Sequence, residues 1–189
     1  RELKADQRTS HIPVVLLTAK TDIQDRLTGQ ESGANAYLAK PFNEQELLLV
    51  PRNLLLLQKQ AQHRYAQYPA AAPAVGSPAA GDFQVEDIFL QRLYQIFEEH
   101  FAQENFDLEQ LCRLLGMSSS QLDRKIKALT NQSPMLMLRT FRLQKARKML
   151  ENSPRPSVSE VCFKTGFKTP AHFSRLFTRE FGVPPSEWQ

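Results

Sequence analysis

The chain has little cysteine: two residues, Cys112 and Cys162, in 189. Two thiols do not make a disulfide framework, so a disulfide-stapled scaffold is excluded and a reduced chain is expected. Long apolar runs are also missing. The leucine-rich runs 47–50 and 54–57 are too short to span a bilayer, and Pro51, Arg52 and Asn53 separate them. No signal peptide is visible. His and Cys nowhere cluster at ligand spacing, so no metal centre is expected. There is no nucleophile–base arrangement and no phosphate-binding glycine loop, so the chain is not expected to be an enzyme. It begins with Arg1 rather than Met and reads as a piece of a longer protein.

What is present is unevenly charged. Residues 1–104 hold Lys+Arg 10 against Asp+Glu 13, and residues 105–189 hold 14 against 7. A basic half beside an acidic half points to a polyanion partner for the basic half. Charge alone would equally describe a solvated surface. At 41% hydrophobic the chain can build a core, or two.

A repeat decides between those readings. Residues 108–134 and 158–185 read as two copies of one helix-turn-helix. Each has a short helical stretch, a glycine turn (Gly116, Met117, Ser118; then Gly166, Phe167, Lys168), a second amphipathic helix, and a closing turn with proline (Pro134; Pro184 and Pro185). The offset is 50 residues through the turns and 51 through the second helices, so one residue is inserted between them. Cys112 and Cys162 fall at equivalent positions of the repeat, as two copies of one helix position would. Two such units can place two helices in the major groove of one DNA molecule.

Helical spacing sorts the second helices into faces. Leu122, Ile126 and Leu129 face inward, and Ser120, Gln121, Arg124 and Lys127 face outward. In the second copy Phe173, Leu176 and Phe177 face inward. Ala171, His172, Arg175 and Thr178 face outward, with Arg179 to the side. Lys168 and Thr169, just before that helix, join the candidate contacts. Arg reaches guanine O6 and N7 bidentately and Gln pairs with adenine. Lys, Ser and Thr hold phosphates and fix register. Phe167, Phe173, Phe177 and Phe181 have core spacing, not that of a single-strand stacking platform. Arg139, Arg142, Lys145, Arg147 and Lys148 lie on the helix expected over 135–150, which would span about 24 Å. Those five side chains could reach the DNA backbone or remain surface charge.

Upstream, residues 12–17 form a continuous apolar run typical of a strand buried on both faces. Asp22 can cap a helix to about Glu31, before Ser32 and Gly33. Residues 36–39 read as a second short buried strand. Asn43 then caps a helix that Pro51 should kink or break. Residues 60–82 are an Ala/Pro-rich spacer. Residues 85–101 carry Ile88, Phe89, Leu93, Ile96, Phe97 and Phe101 on one side of a helix.

These residues carry two resemblances. Residues 83–189 resemble the AraC/XylS-type DNA-binding domain, through Gly166 and Phe167, then Phe173, Ser174, Arg175, Leu176 and Phe177, then Phe181, Gly182, Val183, Pro184, Pro185, Ser186, Glu187 and Trp188. Trp188 stands where Tyr is more usual. The resemblance implies seven helices, with two helix-turn-helix units joined by a rigid helix and reading successive major grooves. Residues 1–60 resemble the last part of a response-regulator receiver, through Thr18 after a strand, Tyr37 in the next, and Lys40 before Pro41. That resemblance implies a hydroxyl and an ammonium that contact an aspartyl phosphate, an aromatic switch at Tyr37, and a cis bond before Pro41. The phosphate-accepting aspartate and acidic pair of that family lie on earlier strands. Mg2+ is thus expected only for an intact receiver, and no cofactor for this chain.

The expected fold class is mainly α. An all-α double helix-turn-helix domain (83–189) follows a truncated α/β, flavodoxin-like receiver segment (1–60) and a linker (61–82). The wording of residues 11–20 and 33–42 looks most like hybrid two-component regulators. This implies a transcription regulator that binds double-stranded DNA as a homodimer when active, under an upstream kinase domain or kinase. It would be cytoplasmic and make no membrane contact through this segment, with any membrane anchor lying upstream. A stand-alone response regulator with the same output and a protein-interaction module are the competing readings. Isolated residues 1–60 are expected to be poorly ordered or to self-associate, because the truncated sheet exposes an edge.

Overall fold

The computed structural model describes residues 2–19, 33–66, 85–152, 154 and 156–188. The chain divides into two compact units. One holds residues 1–90 with 121–131; the other holds 91–120 with 132–189. These units cut across the expected boundaries at 60 and 82, because residues 121–131 group with the N-terminal segment.

The N-terminal unit begins with a single turn, α1 (Glu2–Ala5), then β1 (Val15–Thr18) and β2 (Ala36–Ala39). The two strands pair in parallel, Val15 opposite Ala36 and Thr18 opposite Ala39. Asn35 extends the pairing: its side-chain oxygen accepts from the Val14 N–H at 2.8 Å. Leu38 is buried, but Leu16 and Leu17 are 40% and 50% exposed. The expectation that residues 12–17 are buried on both faces is therefore wrong. Among the described residues, the sheet has two strands and no second layer covers both sides of β1. The helix expected from Asp22 lies outside the described residues.

Helix α2 (Glu44–Ala66) starts at a capping box. The Glu46 N–H donates to Asn43 Oδ1 at 2.8 Å, and the Asn43 N–H donates to Glu46 Oε2 at 3.4 Å. Pro51 does not break it; the helix is continuous for 23 residues. It also runs through 61–66, past the expected start of the linker, whose remaining residues 67–82 lie outside the described set. No helix among the described residues is long and apolar enough to cross a membrane.

Helix α3 (Val85–His100) buries Phe89, Leu90, Leu93, Ile96 and Phe97. Ile88 is 47% exposed, against expectation, and Leu90 takes its place inside. At about 100° per residue, Leu90 lies nearer than Ile88 to the face shared by Phe89, Leu93, Ile96 and Phe97. The remaining helices are α4 (Leu108–Leu115), α5 (Ser119–Thr130), α6 (Pro134–Leu150), α7 (Val158–Lys164) and α8 (Pro170–Phe181). Helix α5 belongs to the N-terminal unit, where Leu122, Ile126 and Leu129 are buried. The C-terminal core joins Leu143, Ala146 and Leu150 of α6, Val161 and Cys162 of α7, Phe167 of the turn, and Phe173, Leu176 and Phe177 of α8. Burying each of the two fully enclosed phenylalanines, Phe173 and Phe177, contributes about 1.5–3 kcal/mol.

Candidate nucleic-acid interface

The two copies of the repeat share their local chemistry, hydrogen bond by hydrogen bond. After α4, Gly116 turns left-handed at φ 65°, its N–H donating to Arg113 O while the Met117 N–H donates to Cys112 O at 3.1 Å. After α7, Gly166 is left-handed at φ 76°, with its N–H on Phe163 O and the Phe167 N–H on Cys162 O at 3.0 Å. Each is a Schellman turn, which needs a residue tolerant of positive φ. The two cysteines are therefore matched by role: each carbonyl closes one turn, and both thiols are buried and unbridged. Burial raises both thiol pKa values.

The far ends of the second helices also match. Asn131 after α5 has φ 58° and donates to Lys127 O at 2.9 Å; Gly182 after α8 has φ 81° and donates to Thr178 O at 2.8 Å. Both pairs are separated by the 51-residue offset. Helix α4 starts at a capping box between Asp107 and Gln110, and α6 and α7 start at Ser133 and Ser157.

On α5, Ser120, Arg124 and Lys127 are exposed and Gln121 is half-buried. Lys127 pairs with Asp123 at 2.8 Å across one turn, a surface pair worth only about 0.3–0.5 kcal/mol. On α8, Ala171, His172, Arg175, Thr178 and Arg179 are all exposed. The Thr178 hydroxyl donates to Ser174 O at 2.9 Å. Thr169 is exposed but caps α8: its hydroxyl oxygen accepts from the His172 N–H at 3.4 Å. Lys168 lies 3.7 Å from Glu104, so a carboxylate already faces that ammonium.

The basic residues of α6 divide more clearly than the sequence allowed. Arg142 is buried and donates to the carbonyls of Phe101 and Gln103 at 2.8 and 2.6 Å. Lys145 pairs with Glu98 and sits over the rings of Phe101 and Phe141. Arg147 lies over Phe181 and Trp188, and Trp188 Nε1 donates to Glu151 at 3.3 Å. These three side chains are engaged by other residues of the C-terminal unit.

In the N-terminal unit, Thr18 and Lys40 come together at the same end of the parallel pair: the Lys40 N–H donates to Thr18 O at 2.6 Å. Tyr37 stands opposite Leu16 on β2 and is half-buried. The Lys40–Pro41 bond is cis.

Sequence reasoning missed Lys125. It is fully buried, its ammonium donating to Gln7 O at 2.5 Å and Ser10 Oγ at 2.8 Å. The available signal was its alignment with Leu176, a core position of the second copy, at the 51-residue offset.

Over 188 residues the chain is 34% identical to histidine kinase P4 of Formosa agariphila, covering 100% of this chain and 13% of that protein. Over 101 residues it is 38% identical to the HTH-type transcriptional activator RhaS of Klebsiella pneumoniae, covering 53% of this chain and 36% of RhaS. The chain thus spans well under two thirds of either relative. The solved C-terminal domain of AraT, a response regulator from Geobacillus stearothermophilus, is 29% identical with a TM-score of 0.49, over 53% of this chain and 82% of that one. Residues 111–189 match the helix-turn-helix domain family.

Proposed function

We propose that this chain is a sequence-specific DNA-binding transcription regulator and the output part of a two-component phosphorelay. The observation that carries the DNA-binding part is the doubled motif. Two helices with matching turns and matching ends expose Arg124 and Arg175 at equivalent positions. An exposed guanidinium on a helix can lie in the major groove and read guanine bidentately. The exposed Lys127 and Arg179 supply charge for phosphates. RhaS, to which the helical part is similar, is a transcriptional activator by name. The protein acts by binding, and no catalytic step is assigned to it.

The phosphorelay part is supported by the alignment of the whole chain, N-terminal segment included, with a histidine kinase. It is also supported by the parallel β1–β2 register, which sets the backbones of Thr18 and Lys40 side by side at one strand end. In this reading an upstream kinase controls pairing of two chains on tandem DNA sites.

Fluorescence anisotropy against duplex DNA at increasing salt tests the first part. Each phosphate neutralised contributes about −0.9 to the slope of log affinity against log salt. A slope of several units is expected; a flat response contradicts DNA binding. For the second part, phosphorylation of the full-length protein should change its DNA affinity and oligomeric state. Unchanged values contradict the phosphorelay.

A further inference from the structure

Lys125 is an ammonium buried at a position where the repeat elsewhere uses leucine. By the 51-residue offset it corresponds to Leu176, a member of the C-terminal apolar core. Burying a charge there is costly unless it is paired and hydrogen-bonded. Both acceptors come from one short stretch: the Gln7 carbonyl at 2.5 Å and the Ser10 hydroxyl at 2.8 Å. Ser10 is itself 5% exposed. The ring of Phe89 closes the site, its centroid 4.6 Å from the ammonium.

A second contact lies on the same helix and is independent of the first. The last carbonyls of a helix have no partner within it. At the end of α5, Gln58 Nε2 of α2 donates to Ala128 O at 3.3 Å. Gln62 Nε2 donates to Ala128 O at 2.9 Å and to Lys127 O at 3.2 Å. Two separate parts of the N-terminal segment therefore hold α5, one by a side chain and one by its end. Arg124 and the Lys127 side chain remain exposed, so this grip leaves the outward residues accessible.

We propose that Lys125 is a positioning residue: it docks the 7–10 turn of the N-terminal segment on α5, so that the segment acts on DNA recognition by setting the first reader helix. The consequence for DNA rests on the function proposed above; the docking itself does not. A change in the N-terminal segment would reach α5 through the Ser10 and Gln7 contacts and through the α2 glutamines.

The test is hydrogen exchange on the whole chain, with Lys125→Met, Ser10→Ala and the double variant. Lys125→Met keeps the apolar packing and removes the donor; Ser10→Ala removes one acceptor and disturbs little else. Each single variant should speed exchange of amides 7–14 and 121–131 by about tenfold, the scale of one charged hydrogen bond. The double variant should add less than the product of the two, because both remove one interaction. Exchange over 170–181 serves as control and should not change. Unaltered exchange at 7–14 and 121–131, or effects that multiply fully, overturns the docking. Footprinting on a duplex that the wild-type chain protects then tests the consequence. Lys125→Met should weaken protection of one half of the site, and equal weakening of both halves overturns the positioning role. If the wild-type chain protects no duplex, the proposed function fails while the exchange result still decides the docking.

Discussion

Arg142 donates from Nε to the Phe101 carbonyl at 2.8 Å, and that same carbonyl oxygen blocks any side chain at Gly166. One guanidinium on the connecting helix thus ties the loop after α3 to the turn of the second helix-turn-helix. A Cβ built on Gly166 would lie 2.3 Å from Phe101 O and 3.0 Å from the Arg142 guanidinium. Removing the guanidinium leaves the carbonyls of Phe101 and Gln103 without their donor. Arg142→Met should therefore destabilise the chain by about 2–3 kcal/mol, read as a lower urea midpoint. A change within about 0.5 kcal/mol, the usual range of surface substitutions, contradicts this role.

The two turn glycines should not respond equally. Gly116 and Gly166 both have positive φ, but an added Cβ at Gly116 meets nothing within 4 Å. Gly116→Ala then costs only the left-handed penalty, about 1–2 kcal/mol. Gly166→Ala adds a backbone clash and should cost clearly more. Thermal unfolding of the two variants side by side checks the order, and equal losses contradict it.

Thr169 acts as a helix cap. Thr169→Ala should destabilise by about 1 kcal/mol and Thr169→Asn should restore most of it, since asparagine caps as well. DNA affinity at fixed salt should stay the same in both variants. Weaker binding by Thr169→Ala with an unchanged salt slope would instead make the hydroxyl a phosphate contact, because a neutral group releases no counterion.

The buried Lys125 gives the stability a pH signature. Burial lowers its pKa to about 8 from 10.5, opposed in part by Glu86 and Asp6. Below pH 8 both folded and unfolded chains carry the proton, and the cost of the buried charge is fully present. Between 8 and 10.5 the unfolded chain binds more protons, so stability rises with pH. The urea midpoint of the wild type should increase from pH 7.5 to 9.5 by more than that of Lys125→Met. Parallel curves would contradict the burial.

His11 works in the opposite pH range. Burial, and then the nearby Lys125 charge, lower its pKa from 6.5 to about 4. As pH falls through that window the unfolded chain takes up the proton first, so stability is lost. His11→Gln should lose less between pH 6.5 and 4 than the wild type, by the same urea measurement.

Much of the helical half could be read directly from the residues. Turn glycines and the inward spacing of Leu122, Ile126, Phe173 and Phe177 are local signals, and local physics decides them. The repeat amplified them, since each copy checks the other. What could not be read were positions settled by distant partners. Lys125 and Arg142 look like surface charge until Gln7, Ser10, Phe101 and Gln103 arrive from other parts of the chain. Leu16 and Leu17 look like interior strand residues, and the number of covering layers is not written in six residues. Pro51 looked like a break, yet α2 carries it without interruption.

The central claim is that both helix-turn-helix units read sequence. A binding selection on random duplex DNA, with the whole chain and with Arg124→Ala and Arg175→Ala alongside, tests it most directly. The account predicts a motif in two parts about one helical turn apart, with each variant relaxing preference in one part only. Enrichment of no sequence by the wild-type chain, even when two copies are joined by a fused dimerisation helix, would contradict it.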